Sequence, residues 1–155
     1  LLKYAPHLPE TGTFLDLGCG WGPLTLALAL ESPNASVWGV DVNERALQVA
    51  TDNAANAHLG SISFATPEDV PSDLLFDVIW SNPPIRVGKK ELHSLLAQWR
   101  PRLTPEGEAW LVVAKKLGAD SLQEWIASGG AGDFDASRFE TSRGFRVIRV
   151  SRRSS

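Results

Sequence analysis

Three short stretches of this chain hold residues whose types and spacing suit chemistry. In Asp16-Leu17-Gly18-Cys19-Gly20-Trp21-Gly22, an acid stands two residues before a run of alternating glycines. In Val37-Trp38-Gly39-Val40-Asp41, an acid closes an apolar run. Phe76-Asp77-Val78-Ile79-Trp80-Ser81-Asn82-Pro83-Pro84 carries an apolar run into an amide and two prolines. Alternating glycines turn the backbone sharply and let a ligand lie against it. The run behind them, Leu24-Thr25-Leu26-Ala27-Leu28-Ala29-Leu30, reads as a helix whose start offers free N–H groups. Asp41 lies 19 residues beyond Gly22, near the spacing at which an acid meets ribose hydroxyls. Prolines fix φ and remove donors, so Asn82-Pro83-Pro84 makes a rigid ledge with one amide side chain and a free carbonyl. Two acceptors held in that way suit a substrate that donates N–H groups.

The glycine spacing narrows the ligand. In the dinucleotide fingerprint G-x-G-x-x-G the third glycine would fall at Pro23, and the phosphate-cradling G-x-x-x-x-G-K-[ST] occurs nowhere. A carboxylate at Asp16 repels a pyrophosphate and suits a cation. Each stretch also has a plainer reading. The glycines make a strand-to-helix turn, Asp41 caps a helix, and the prolines stop a strand. For Asp41 the plainer reading is the weaker one, because Asn43, followed by Glu44, is the better cap.

The surrounding pattern supplies the elements that must hold these residues. Strands are expected at 13–17, 36–41, 61–65, 76–81, 107–114, 134–140 and 144–150, and helices at 22–31, 43–58, 88–101 and 118–127. Apolar strands alternating with helices predict a mostly parallel sheet with helices on both faces. The last two strands have no helix between them, and Arg143-Gly144 reads as their hairpin turn. Ala46, Leu47, Ala50, Ala54 and His58 recur at helical spacing as a core face, with His58 expected to pack or to cap the helix rather than to catalyse. Trp38, Trp80 and Trp110 fall in strands and are expected in the core, while the ring of Trp21 either covers a ligand or fills the space beneath the loop.

Together these residues resemble the class I S-adenosylmethionine-dependent methyltransferases. Asp16-Leu17-Gly18-Cys19-Gly20, Asp41 and Asn82-Pro83-Pro84 are most similar to the small-domain enzymes of the ribosomal RNA guanine-N2 type and their stand-alone relatives. The likeness covers the whole chain, including Ser81 to Lys90, His93 on the next helix and the ending Arg143-Gly144-Phe145-Arg146-Val147. It implies a Rossmann-like α/β fold with a seven-stranded sheet whose C-terminal hairpin strand is antiparallel. It implies S-adenosylmethionine as cofactor, held by Asp16, Leu17, Gly18, Cys19, Gly20, Asp41, Val42 and Asn82. Asn82, Pro83 and Pro84 become the catalytic residues, and Ile85, Arg86 and Lys89 the contacts to an RNA substrate. In the family an aromatic residue usually follows Asn-Pro-Pro and stacks on the target base; here Ile85 stands there. After the third strand an acid often meets the adenine; the stretch here offers no clean match, leaving Glu68, Asp69 or backbone contacts alone for that place.

Two further substrates fit the same chemistry: a glutamine amide in a protein and adenine in DNA. A degenerate domain that only positions RNA is another reading, and intact Asp16, Asp41 and Asn82 argue against it. A nicotinamide-dependent oxidoreductase needs the missing third glycine, and a Tyr-x-x-x-Lys pair is excluded because Tyr4 is the only tyrosine.

The 155 residues, 43% of them apolar and 21% charged, suit one globular domain that buries about 70% of its unfolded surface. No apolar run approaches a membrane span and no secretion signal opens the chain, so a cytoplasmic protein is expected. A lone cysteine, Cys19, excludes a disulfide framework and reads as a small side chain in a tight loop. His7, His58 and His93 lack metal-ligand spacing, so no metal is expected. The net charge of −3 conceals an asymmetry, with −8 on residues 1–80 and +5 on residues 81–155. The basic half, with Arg86, Lys89, Lys90, Arg143 and Arg146, is the half expected to face a polyanion. The chain begins at Leu1 and holds no methionine, which predicts an upstream segment.

Overall fold

The computed structural model describes residues 8–59, 62–81, 89–114, 119–127, 134–142 and 145–152. Its core is a seven-stranded sheet of order β3-β2-β1-β4-β5-β7-β6. The strands are β1 Thr13–Leu17, β2 Ser36–Val40, β3 Ile62–Ala65, β4 Phe76–Ser81, β5 Leu103–Ala114, β6 Phe134–Ser142 and β7 Phe145–Arg152. The helices are α1 Pro23–Glu31, α2 Glu44–Asn56, α3 Lys89–Trp99 and α4 Ala119–Ala127. β1 pairs in parallel with β2 and β4, β2 with β3, and β4 with β5. β7 runs antiparallel to both β5 and β6, as the lack of a helix between the last two strands predicts.

This order puts the chemistry in one place. The chain grows outward from β1 through β2 and β3, then returns to the other side of β1 with β4. Sheets of this kind bind ligands where the order reverses, beyond the carboxyl ends of the strands. The register there sets Leu17 beside Val40 on one side and Ser81 on the other. All three motifs therefore leave the sheet at a single edge.

Side-chain alternation builds two cores. One face carries Phe14, Val37, Val78, Trp80, Trp110, Val112 and Val147 against Leu28 and Ala29 of α1. The other carries Leu15, Leu17, Val40, Ile79, Leu111 and Ile148 against Leu96 and Trp99 of α3 and Leu122 and Ile126 of α4. Trp80 and Trp110 are buried and Trp38 partly so, as expected from their strand positions.

The amino edge of the sheet is closed by side chains. Asp77 accepts from the Thr13 N–H at 2.9 Å and from Thr104 Oγ1 at 3.1 Å, tying β1, β4 and β5 together. Arg102 donates to the carbonyls of Leu74 and Pro71 and lies over the rings of Phe76 and Trp99.

Three sequence expectations need correction. β5 begins at Leu103, before the predicted 107. Leu103 pairs with Phe76 and Glu108 with Val78, so an irregularity holds the residues between, including Pro105 and Gly107. The predicted helix 88–101 ends at Trp99 and tightens into a 3-10 turn, Arg100–Arg102. Of the two roles expected for His58, packing fails and capping holds. It is exposed at φ 58 and ends α2, with Leu59 N–H donating to Ala54 O at 3.0 Å and its own N–H to Ala55 O at 3.1 Å. That pair of bonds is a Schellman stop, with His58 in the position usually taken by glycine.

Candidate active site

The glycine loop is built by backbone conformations that only glycine takes easily. Gly18, Gly20 and Gly22 have φ of 82, 57 and 98. A Cβ on Gly18 or Gly20 would meet nothing within 4 Å, so these two are needed for their dihedrals and leave open room beside the loop. Gly22 differs, since a Cβ there would approach Ala50 of α2 to 3.0 Å. The N–H groups of Gly18 and Cys19 donate to the carbonyl of Val40 at 2.7 and 3.0 Å, which moors the loop to the end of β2.

Both acids reach the loop, by different routes. Asp41 Oδ2 accepts from Gly20 N–H at 2.8 Å and its Oδ1 from Asn43 N–H at 2.9 Å. An ionised carboxylate has about four acceptor sites, so Asp41 keeps lone pairs for a ligand hydroxyl. Asn43 caps α2, accepting from the N–H groups of Arg45 and Ala46. The plainer reading of Asp41 as the cap is thereby excluded. Asp16 is 2% exposed and accepts from Thr25 Oγ1 at 2.7 Å. Burial, reinforced by the negative charge of Asp41, pushes its carboxyl up to about 6 against the pull of the Thr25 bonds.

Cys19 is buried, and burial together with Asp16 and Asp41 pushes its thiol up to about 12. A thiolate nucleophile is therefore excluded at neutral pH. Trp21 is 59% exposed, so it does not fill the space beneath the loop. Leu17 is buried under the loop, while Val42 is 80% exposed, an apolar surface directly after Asp41. Beyond β3, Asp69 turns back to accept from Thr66 Oγ1 at 3.1 Å, and Glu68 stays exposed.

Asn82, Pro83, Pro84, Ile85 and Arg86 lie outside the described residues, as does Arg143. Lys89 opens α3, but its side chain and that of Lys90 also lie outside them. What is described is the approach: Ser81, buried, ends β4 beside Leu17. Arg146 does not belong with the surface cations. It is buried, with its guanidinium 3.4 Å from Gln123 Oε1 of α4. His93 of α3 stacks on Trp125 of α4 at 3.8 Å and 6°, joining the helices that follow β4 and β5. Thr25 was missed in the sequence, although a single hydroxyl inside the apolar run Leu24–Leu30 was the signal for it.

The residues present fit a cationic nucleoside. The loop leaves room, Asp41 offers acceptors at ribose distance in sequence, Val42 offers an apolar surface, and the charge near the loop is negative. Among the described residues no group of His, Cys, Asp and Glu could hold a metal, and no helix is long and apolar enough to cross a membrane.

The sheet order, the antiparallel β7 and the glycine loop at the switch point define a class I S-adenosylmethionine-dependent methyltransferase fold. A family model for the methyltransferase small domain matches residues 1–131, and the chain belongs to that family. It is 37% identical over 149 residues to the uncharacterized protein YbxB of Bacillus subtilis, covering 93% of this chain and 72% of that protein. It is 39% identical over 103 residues to a release factor glutamine methyltransferase of Neisseria gonorrhoeae, covering 63% of this chain and 37% of the relative. It is 36% identical over 126 residues to ribosomal RNA large subunit methyltransferase G of Pseudomonas syringae, covering 76% and 33%. The chain thus spans only about a third of those two enzymes. In structure it is similar to the T. thermophilus 16S rRNA N2 G1207 methyltransferase RsmC, solved with AdoMet and guanosine. The TM-score is 0.76 at 23% identity, over 92% of this chain and 38% of that one. The chain is thus a methyltransferase small domain on the class I S-adenosylmethionine-dependent fold.

Proposed function

We propose that the domain methylates an exocyclic amino nitrogen of guanine in ribosomal RNA. One observation carries the reading. The loop with its two acids and the end of β4 share the switch-point edge, and the residues that follow β4 are Asn82-Pro83-Pro84. The ribosomal RNA relative, which aligns over more of this chain than the glutamine enzyme does, supports the choice of substrate.

When bound, S-adenosylmethionine supplies an electrophilic methyl group on a positively charged sulfur. Asp41 accepts the ribose hydroxyls, while the loop from Leu17 to Gly20 and the side chain of Val42 border the rest of the cofactor. Asn82 Oδ1 and the Pro83 carbonyl accept the two N–H bonds of the amine, while Pro84 keeps the ledge rigid. The lone pair of such an amine is delocalised into its ring, so turning it out of the ring plane is the chief task of the site. The amine nitrogen would give up its proton only after becoming cationic, so these residues need only accept its N–H bonds and orient its lone pair. A strong general base is not required. Ile85, Arg86 and Lys89 contact the RNA, and this reading places the domain in the cytoplasm with the ribosomes.

Tritium transfer from labelled S-adenosylmethionine to total RNA and to total protein tests the assignment. Label in RNA that digests to N2-methylguanosine supports it. Label in protein glutamine favours the reading carried by the glutamine methyltransferase relative.

A further inference from the structure

We propose that Thr25 is the positioning residue through which the buried Asp16 carboxylate sets the glycine loop for the cofactor. The inference deepens the cofactor assignment and rests on it. Asp16 is the last inward residue of β1 on the face that α1 covers. At 2% exposure it is placed to act through its partners. Its partner Thr25 is fully buried in the first turn of α1 and touches no solvent-facing surface. The hydroxyl donates to Asp16 Oδ2 at 2.7 Å.

The start of α1 explains why this pair is needed. Its N-cap is Gly22, which has no side chain to cap with, and the next residue is Pro23, which has no N–H. The first turn of a helix carries unsatisfied donors and partial positive charge. α2 answers that need with Asn43, its own neighbour. α1 answers it with an acid from β1, on the far side of the glycine loop. The Asp16–Thr25 contact therefore joins the two ends of the loop, across a sequence separation of 9. Between them, Gly18 and Cys19 are tied to Val40 and Gly20 to Asp41. Without the Thr25 hydroxyl the loop keeps its moorings to β2 and the Asn53 bond to Trp21 O, and loses the shortest of the bonds at its exit.

The charges around Asp16 give the pair a second consequence. The titratable groups facing it are Asp41 at the end of β2 and the Cys19 thiol in the loop. Thr25 is the α1 group that meets it, and no cation among the described residues contributes to its environment. S-Adenosylmethionine brings the missing positive charge, on an ammonium and a sulfonium. Its binding favours the ionised carboxylate, so a proton leaves Asp16 as the cofactor enters wherever the free protein holds that proton.

The test measures affinity for S-adenosylmethionine and S-adenosylhomocysteine by calorimetry at pH 5.5 and 8, with melting of the cofactor-free protein alongside. Thr25→Val keeps the shape and removes the donor, and Thr25→Ser keeps the donor. The expected result is at least a fivefold loss of affinity for both ligands in Thr25→Val and less than a twofold change in Thr25→Ser. The wild type should bind S-adenosylmethionine more tightly at pH 8 than at pH 5.5, and Asp16→Asn should bind it equally at both. Thr25→Val that melts earlier but binds like the wild type overturns the proposal, because Thr25 is then structural alone. If Thr25→Val does not fold, the pH arm decides: an Asp16→Asn profile identical to the wild type overturns it. A wild-type protein that binds neither ligand overturns the cofactor assignment itself and the proposal with it.

Discussion

The two edges of the sheet use the same residue types to opposite ends. At the amino edge Gly12, Asp77 and Thr104 form a closed knot, and a Cβ on Gly12 would sit 2.6 Å from Asp77 Oδ2. At the carboxyl edge Gly18, Gly20, Asp16, Asp41 and Thr25 form an arrangement with room beside it, where a Cβ on Gly18 or Gly20 meets nothing. Asp77 spends its oxygens on holding three strands together. Among the described residues no cation compensates the buried Asp16, and its carboxyl is raised accordingly. A glycine demanded by packing and a glycine demanded by its dihedral look alike in sequence, as do a structural acid and a ligand-facing one. Which end of the strand they occupy separates them.

The largest effect should come from Asn82, the residue that follows β4 in the sequence. Asn82→Ala is expected to cut the rate of methyl transfer by about 10²–10³, by analogy with removal of a preorganised polar group. Cofactor affinity should stay within a few-fold, so single-turnover kinetics and calorimetry together check it. A variant that turns over normally would remove Asn82 from the mechanism.

Asp16 gives the next largest effect, and it concerns stability. Its carboxyl is raised from 3.8 to about 6, so between those values the folded protein holds a proton that the unfolded chain has released. Its contribution is fully present below about 4 and is lost as pH rises through 6, a change of about 3 kcal/mol. Asp16→Asn keeps an acceptor for Thr25 and removes that loss. Urea unfolding of the cofactor-free variant at pH 7.5 should therefore show it at least as stable as the wild type. Stability well below the wild type at that pH would mean that the carboxylate is a structural asset, like Asp77.

The glycines give the smallest effects and the sharpest contrast. Gly18→Ala meets no neighbour and carries only the left-handed strain of roughly 1–2 kcal/mol. Gly12→Ala adds a clash with Asp77 and should cost visibly more in the same unfolding experiment. Equal losses at the two positions would erase the distinction between the edges.

Much of this arrangement was legible in the sequence. The apolar runs and the acids that close them placed β1, β2 and β4, and parallel pairing alone brought their ends to one edge. The missing helix before the last strand foretold the antiparallel β7. What was not legible depends on contacts distant in sequence. Thr25 looks like one polar residue in an apolar helix until β1 delivers Asp16 to it. Arg146 reads as a surface cation beside a turn, yet its position between β5 and β6 buries it against Gln123. The start of β5 at Leu103 was not legible because a register irregularity interrupts its pairing with β4. His58 shares the helical period of its core neighbours but falls where the helix stops.

The central claim is that the acid at the carboxyl edge holds the cofactor while the acid at the amino edge holds the sheet. Calorimetric titration of the wild type, Asp41→Ala and Asp77→Ala with S-adenosylmethionine tests it directly, at a temperature where all three are folded. Asp41→Ala loses charge-assisted hydrogen bonds worth about 1.5–3 kcal/mol each, so its affinity should fall at least tenfold. Asp77→Ala should melt earlier and bind with the affinity of the wild type. Wild-type affinity in Asp41→Ala, or an equal loss in both variants, would contradict the account.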